Sequence, residues 1–161
     1  MGGIRLKVIS GFPCIGKTTL CHENKDRFMD LEFRETASTM GMNAEQRKRI
    51  FDAYGRIITE IFQENYYEYL FVTDNRLMLE ELHKRKIPFT YIVPDISDNE
   101  FMEQYKERVY HRNDKDWYDR IIIPRLANYY DIIDYVKSIP HANIQYLNTK
   151  QPYLADQINV D

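Results

Sequence analysis

Short apolar and β-branched runs recur along the chain at residues 6–10, 28–31, 69–73, 89–93 and 143–147, each about the length of a buried strand. Between them the apolar positions repeat with helical period. Over residues 44–66, Ile50, Tyr54, Ile57, Ile58, Ile61 and Phe62 fall on one face, and Asn43 with Gln46 has the spacing of a capping pair. A second helix is expected from Ser97, where Ser97 and Glu100 stand at capping-box spacing ahead of Phe101, Tyr105 and Val109. Residues 117–136 are again helical in period, but Pro124 cannot donate an interior hydrogen bond and calls for a kink or a fresh helix start. Strand alternating with helix predicts an α/β fold, a mostly parallel sheet covered on both faces, with ligands at the carboxyl ends of its strands.

Length and composition narrow this picture. The chain has 161 residues and no internal repeat or linker, which predicts one domain over residues 1–161. With 43% hydrophobic and 29% charged residues it has globular composition, and it lacks an apolar run of bilayer length, so no membrane partner is expected. Its opening residues carry no secretory or myristoylation pattern, and Cys14 and Cys21 are too few to staple a secreted scaffold; both point to the cytoplasm. A net charge of -3 argues against a broad grip on nucleic acid while leaving room for a local basic patch. The four histidines show no metal-ligand spacing.

The stretch "SGFPCIGKTTL", between the first strand run and a helical run, carries the chemistry. Gly11, Gly16, Lys17 and Thr18 satisfy G-x-x-x-x-G-K-[ST], the phosphate-binding loop, in its strand-to-helix context. Gly11, Phe12, Pro13, Cys14, Ile15, Gly16, Lys17, Thr18 and Thr19 are thus the candidate nucleotide cradle. Glycines let backbone N–H groups curl round a phosphate, Lys17 is placed to bridge the β- and γ-phosphates, and the Thr18 hydroxyl suits Mg²⁺. The bland alternative is a glycine turn before a helix with an ordinary exposed lysine. Cys14 fills an unconstrained loop position. Asp74, at the end of "YLFVTD", is a second candidate Mg²⁺ ligand, against the alternative of a strand-ending Asp-Asn turn.

With these features the chain resembles the P-loop nucleoside and nucleotide kinases of adenylate-kinase-like fold, a three-layer P-loop NTPase fold. More narrowly, "SGFPCIGKTTL", "DLE", "EELHKRKIPFTYIVP" and "YKER" look like small phage-encoded P-loop kinases, some of which phosphorylate 5-hydroxymethyluracil within DNA. The resemblance implies a five-stranded sheet in the order 2-3-1-4-5, ATP and Mg²⁺ as cofactors, and a lid over about residues 105–120. It further implies an acidic residue facing the acceptor after the second strand, where Asp30 and Glu32 stand, and lid arginines over the phosphates, here Arg108 and Arg112 with Arg120 beyond. A solvated helix face of mixed charge explains the same arginines equally well.

No "DGFPR"-like monophosphate signature is present, only "TDNR" with Arg76. A phosphate acceptor chiefly needs arginine clamps, whereas a hydroxyl benefits from a carboxylate that orients it and takes its proton. The expected function is therefore Mg-ATP-dependent phosphoryl transfer to a hydroxyl of a nucleoside-type acceptor, free or within DNA, with Lys17, Asp30, Arg108 and Arg112 as catalytic candidates. A nucleoside monophosphate kinase and a nucleotide-dependent switch are the alternatives. Arg34, Arg47 and Arg49 would flank the acceptor side or only solvate it, and paired tyrosines such as Tyr66–Tyr67 and Tyr129–Tyr130 are read as core.

Overall fold

A computed structural model of the chain describes residues 6–23, 26–31 and 41–158. Five strands, β1 (Lys7–Gly11), β2 (Phe28–Asp30), β3 (Tyr69–Phe71), β4 (Phe89–Pro94) and β5 (Ala142–Leu147), form one parallel sheet in the order β2-β3-β1-β4-β5. Helices flank it. They are α1 (Lys17–Glu23), α2 (Ala44–Glu64), α3 (Arg76–Lys84), α4 (Asn99–Arg112), α5 (Lys115–Trp117), α6 (Ile123–Ala127), α7 (Tyr129–Lys137) and α8 (Leu154–Gln157). This is the three-layer α/β arrangement and strand order expected. Among the described residues no helix is long and apolar enough to cross a membrane.

The chain divides into two compact units: the residues up to Ser10 with Thr18–Thr90, and Gly11–Lys17 with the residues from Tyr91 onward. In the first, β3 pairs with β1 (Val8 opposite Leu70) and with β2 (Asp30 opposite Phe71). All three β3 residues are buried, which explains why "YLF" reads as an unbroken apolar run rather than an alternating one. Phe28 stacks on Tyr69 with ring centroids 4.8 Å apart. Arg85, the C-cap of α3, donates to Asp52 of α2 and to Glu81. Gly55 leaves room for this cluster, since a Cβ there would lie 2.6 Å from Glu81 Oε1. In the second unit Phe101, Tyr105 and Val109 of α4 are fully buried, and Ile133 and Val136 of α7 are buried too.

Several local expectations are corrected. The helix α2 has the predicted Asn43–Gln46 capping box, but it ends at Glu64 because Asn65 turns into the left-handed region (φ 55) and caps it. Its buried stripe is Phe51, Gly55 and Ile58, whereas Ile57 is 42% exposed: the glycine, not the isoleucine, faces the close neighbour. Ser97 does not cap α4. Its N–H and hydroxyl close a turn on Asp95, and Asp98 is the N-cap, accepting from Phe101 N. The segment from Lys115 to Lys137 breaks as Pro124 requires, through a π-helical turn (Tyr118–Ile122) that precedes the proline, then again at Asn128. The wider turn accommodates a ring that would strike the carbonyl four residues back. The tyrosines also divide: Tyr129 is buried, while Tyr66 and Tyr130 are 76% and 71% exposed. The helix α3, with Met78, Leu79 and Leu82 buried, is capped by Asn75, the residue read from the sequence as part of a strand-ending turn.

Asp98 also accepts from the N–H and hydroxyl of Thr149, so its carboxyl titrates below the ordinary aspartate value, chiefly through the Phe101 N–H and then the Thr149 groups. A depressed carboxylate adds stability that is present above its unfolded value and lost as pH falls through its folded one. Asp98→Ala is expected to lower the melting temperature by about 2–4 °C at pH 7. The gap to wild type should close as pH falls towards 3, which thermal melts across that range would measure.

Candidate functional site: the Gly11–Lys17 loop

The loop leaves β1 at Gly11 and enters α1 at Lys17. Gly11 is required by proximity: a Cβ there would lie 2.3 Å from the Ile92 carbonyl oxygen of β4. Phe12 N donates to that same oxygen at 3.0 Å. The Phe12 ring is fully buried and meets Tyr91 and Tyr129 edge to face. Tyr129 is itself fixed by a hydrogen bond from its hydroxyl to Pro94 O, and burial pushes its pKa far up, so it remains a donor at any ordinary pH. Ile15 is the second buried anchor. Pro13, Cys14 and Gly16 are half-buried.

Between these anchors the backbone turns twice through the left-handed region, at Cys14 (φ 62) and Gly16 (φ 108). Alternation of this kind is the backbone pattern that can align successive N–H groups towards an anion. Three of the loop's carbonyls are taken up by donors. Pro13 O accepts from the Tyr105 hydroxyl (2.6 Å), Cys14 O from Arg108 Nη1 (3.2 Å), and Ile15 O from Leu154 N (2.9 Å). Arg108 Nη2 also donates to Pro152 O (2.8 Å), and its guanidinium lies 4.1 Å from the Tyr153 ring centroid. Lys17 closes the loop and is only 3% exposed, which separates it from the ordinary surface lysine of the bland alternative. In so dry a setting its charge acts on an anion more strongly than it would in water.

The side chains of Thr18 and Thr19 lie outside the described part, as do Glu32 and Arg34 entirely. Asp30 is half-buried at the carboxyl end of β2, and Leu31 N beyond it donates to Phe71 O. Asp74 is half-buried just past β3, where Ser10 Oγ donates to Thr73 O at 3.0 Å and joins the ends of β1 and β3. The neighbouring Asn75 makes the turn by capping α3. Arg112 is exposed in the last turn of α4, and Arg120 is paired with Asp116 one turn away. Arg47 and Arg49 are exposed on α2, with Arg49 paired to Glu45. The lid range of residues 105–120 consists of the second half of α4, α5 and the start of the π-helical turn. Among the described residues no group of three His, Cys, Asp or Glu side chains could hold a metal. The roles of Tyr105 and of the segment from Pro152 to Leu154 at the loop carry no local signal in the sequence.

No protein-family model matches the chain, and no curated protein matches it. A solved structure described as "Crystal structure of APE1195" is similar at 18% identity, over 87% of this chain and 84% of that one, with a TM-score of 0.40.

Two substitutions test the loop geometry. Gly11→Ala is expected to cost several kcal/mol, because the clash is with backbone that cannot rotate away. Cys14→Gly should stabilise by about 1 kcal/mol, since a residue with a Cβ is strained at positive φ. Chemical denaturation of both variants reads out the sign.

Proposed function

We propose that the protein is a Mg-ATP-dependent kinase that transfers the γ-phosphoryl group to a hydroxyl of a nucleoside-type acceptor, free or within DNA. The observation that carries this reading is the loop itself: left-handed turns at Cys14 and Gly16, with carbonyls 13–15 engaged from outside and a buried Lys17 at its end. Left-handed turns of the kind that aim N–H groups at an anion, next to a desolvated ammonium, suit a polyphosphate.

Mg²⁺ is commonly bound by one or two protein oxygens together with phosphate oxygens, a demand that Asp74 and the Thr18 hydroxyl meet in kind. When bound, it supplies charge neutralisation at the β- and γ-oxygens. Lys17 holds those phosphates and draws off negative charge that develops on the leaving oxygen. Asp30 orients the acceptor hydroxyl and takes its proton as the bond from the hydroxyl oxygen to γ-phosphorus forms and the β–γ bridge bond breaks. Arg112 is assigned to the transferring phosphoryl group from the exposed end of α4. The cytoplasm, of the host where the gene is phage-borne, is the proposed site of action.

Radiolabelled ATP supplied with nucleosides, nucleoside monophosphates and oligonucleotides carrying hydroxymethylated pyrimidines tests the reading. Label should appear on a hydroxyl acceptor, and Lys17→Ala should abolish its transfer with the thermal melt unchanged. Label found solely as inorganic phosphate would instead favour a switch. Asp30→Asn is expected to slow transfer by about 10²- to 10⁴-fold with ATP binding intact, and an unchanged rate removes Asp30 from the role of base.

A further inference from the structure

Arg108 is drawn by resemblance towards the phosphates, yet its contacts point elsewhere. One arm of the guanidinium donates to Cys14 O and the other to Pro152 O, and the Tyr153 ring lies 4.1 Å from its centre. The next residue, Leu154, is fully buried and its N–H donates to Ile15 O. The C-terminal segment is therefore tied to two consecutive loop carbonyls, once directly and once through Arg108. It is held on both sides as well, since Thr149 before it donates to Asp98 at the head of α4 and Gln157 Nε2 after it donates to Tyr146 O of β5.

We infer that Arg108 is a positioning residue: with Pro152–Leu154 it forms a brace on the outer side of the phosphate loop and fixes the conformation in which the loop's N–H groups are presented to nucleotide. This rests on the kinase reading for its functional consequence. The chemistry explains the residue type. Two carbonyls and an aromatic face are served at once by a planar fork, which a lysine ammonium cannot reproduce. A carbonyl released from its donor is free to rotate, and rotation of the peptide unit after Cys14 carries the Ile15 N–H with it, so loss of the brace loosens a group on the anion side.

A brace and a phosphate ligand differ in what they move. Arg108→Lys is expected to raise the KM for MgATP about tenfold while kcat stays within about threefold, because a charged hydrogen bond to the loop is lost before chemistry begins. Tyr153→Ala, at a residue 53% exposed, should raise the same KM about threefold. The double variant should be no worse than Arg108→Lys alone, since both act through one guanidinium. In a Cys21→Ser background, where Cys14 is the sole cysteine, both substitutions should speed maleimide labelling of Cys14 severalfold in nucleotide-free protein. A fall in kcat with KM unchanged in Arg108→Lys, additive effects in the double variant, or unchanged Cys14 labelling overturns the brace. Absence of MgATP binding by the wild type, or binding indifferent to Lys17→Ala, overturns the kinase reading, and the labelling rates still decide the brace.

Discussion

A backbone that directs its amide N–H groups towards an anion has to send its carbonyls the other way, and each buried carbonyl then needs a donor. The Gly11–Lys17 loop shows how such donors are supplied. Three consecutive loop carbonyls, those of Pro13, Cys14 and Ile15, receive donors from α4 twice and from the start of α8 once. Tyr105 and Arg108 lie three apart on α4, hence on one face, and this spacing lets a single helix serve neighbouring peptide units. The donors differ in stiffness: a phenol with a buried ring, a guanidinium fork and a backbone N–H at a helix start. None of them is a mobile chain end, so the loop is defined by elements that are themselves packed.

The apolar anchors work with the carbonyl donors. Burying Phe12 and Ile15 contributes roughly 2–3 kcal/mol each, and placing one on either side of the Cys14 turn means that the strained backbone between them has little freedom to relax. A left-handed non-glycine residue costs about 1–3 kcal/mol and persists only where its surroundings over-determine it. Here the surroundings do so: Phe12 between two tyrosine rings, Gly11 against the Ile92 carbonyl, and Arg108 on Cys14 itself.

The strands and the loop were legible because their signals are local. A buried parallel strand shows as an apolar run, and the tight loop between β1 and α1 shows as glycines at fixed spacing before a lysine. The cap of α4 was one residue out because Ser97, Asp98 and Glu100 all offer capping chemistry, and it is the turn that engages Ser97 on Asp95, with the tertiary bond from Thr149, that leaves Asp98 as the cap. The face of α2 was misjudged at Ile57 because the period cannot tell that Gly55 is where α3 comes near. The brace was invisible for a stronger reason. A backbone carbonyl has the same chemistry at every position, so nothing in "FPCIG" says that its acceptors are met from Tyr105, Arg108 and Leu154, some 90 or more residues along the chain.

The arginines of the first unit bear on the proposed acceptor. A monophosphate acceptor needs guanidinium groups that are available to it. Arg85 is engaged with Asp52 and Glu81 in a largely buried cluster, and Arg27 donates through two nitrogens to Glu68, whose carboxyl is held below its ordinary range chiefly by that hydrogen bond. Moving either arginine to a substrate would strand a carboxylate, at a cost greater than that of parting the exposed pairs Arg49–Glu45 and Arg76–Glu80. The two most firmly held arginines are thus ill suited to clamping a phosphate, while the carboxylate of Asp30 stands at a strand's carboxyl end, where parallel α/β sheets take their ligands. A hydroxyl acceptor asks for the second kind of group and not the first, and that balance of charge supports the proposed alcohol acceptor over a monophosphate.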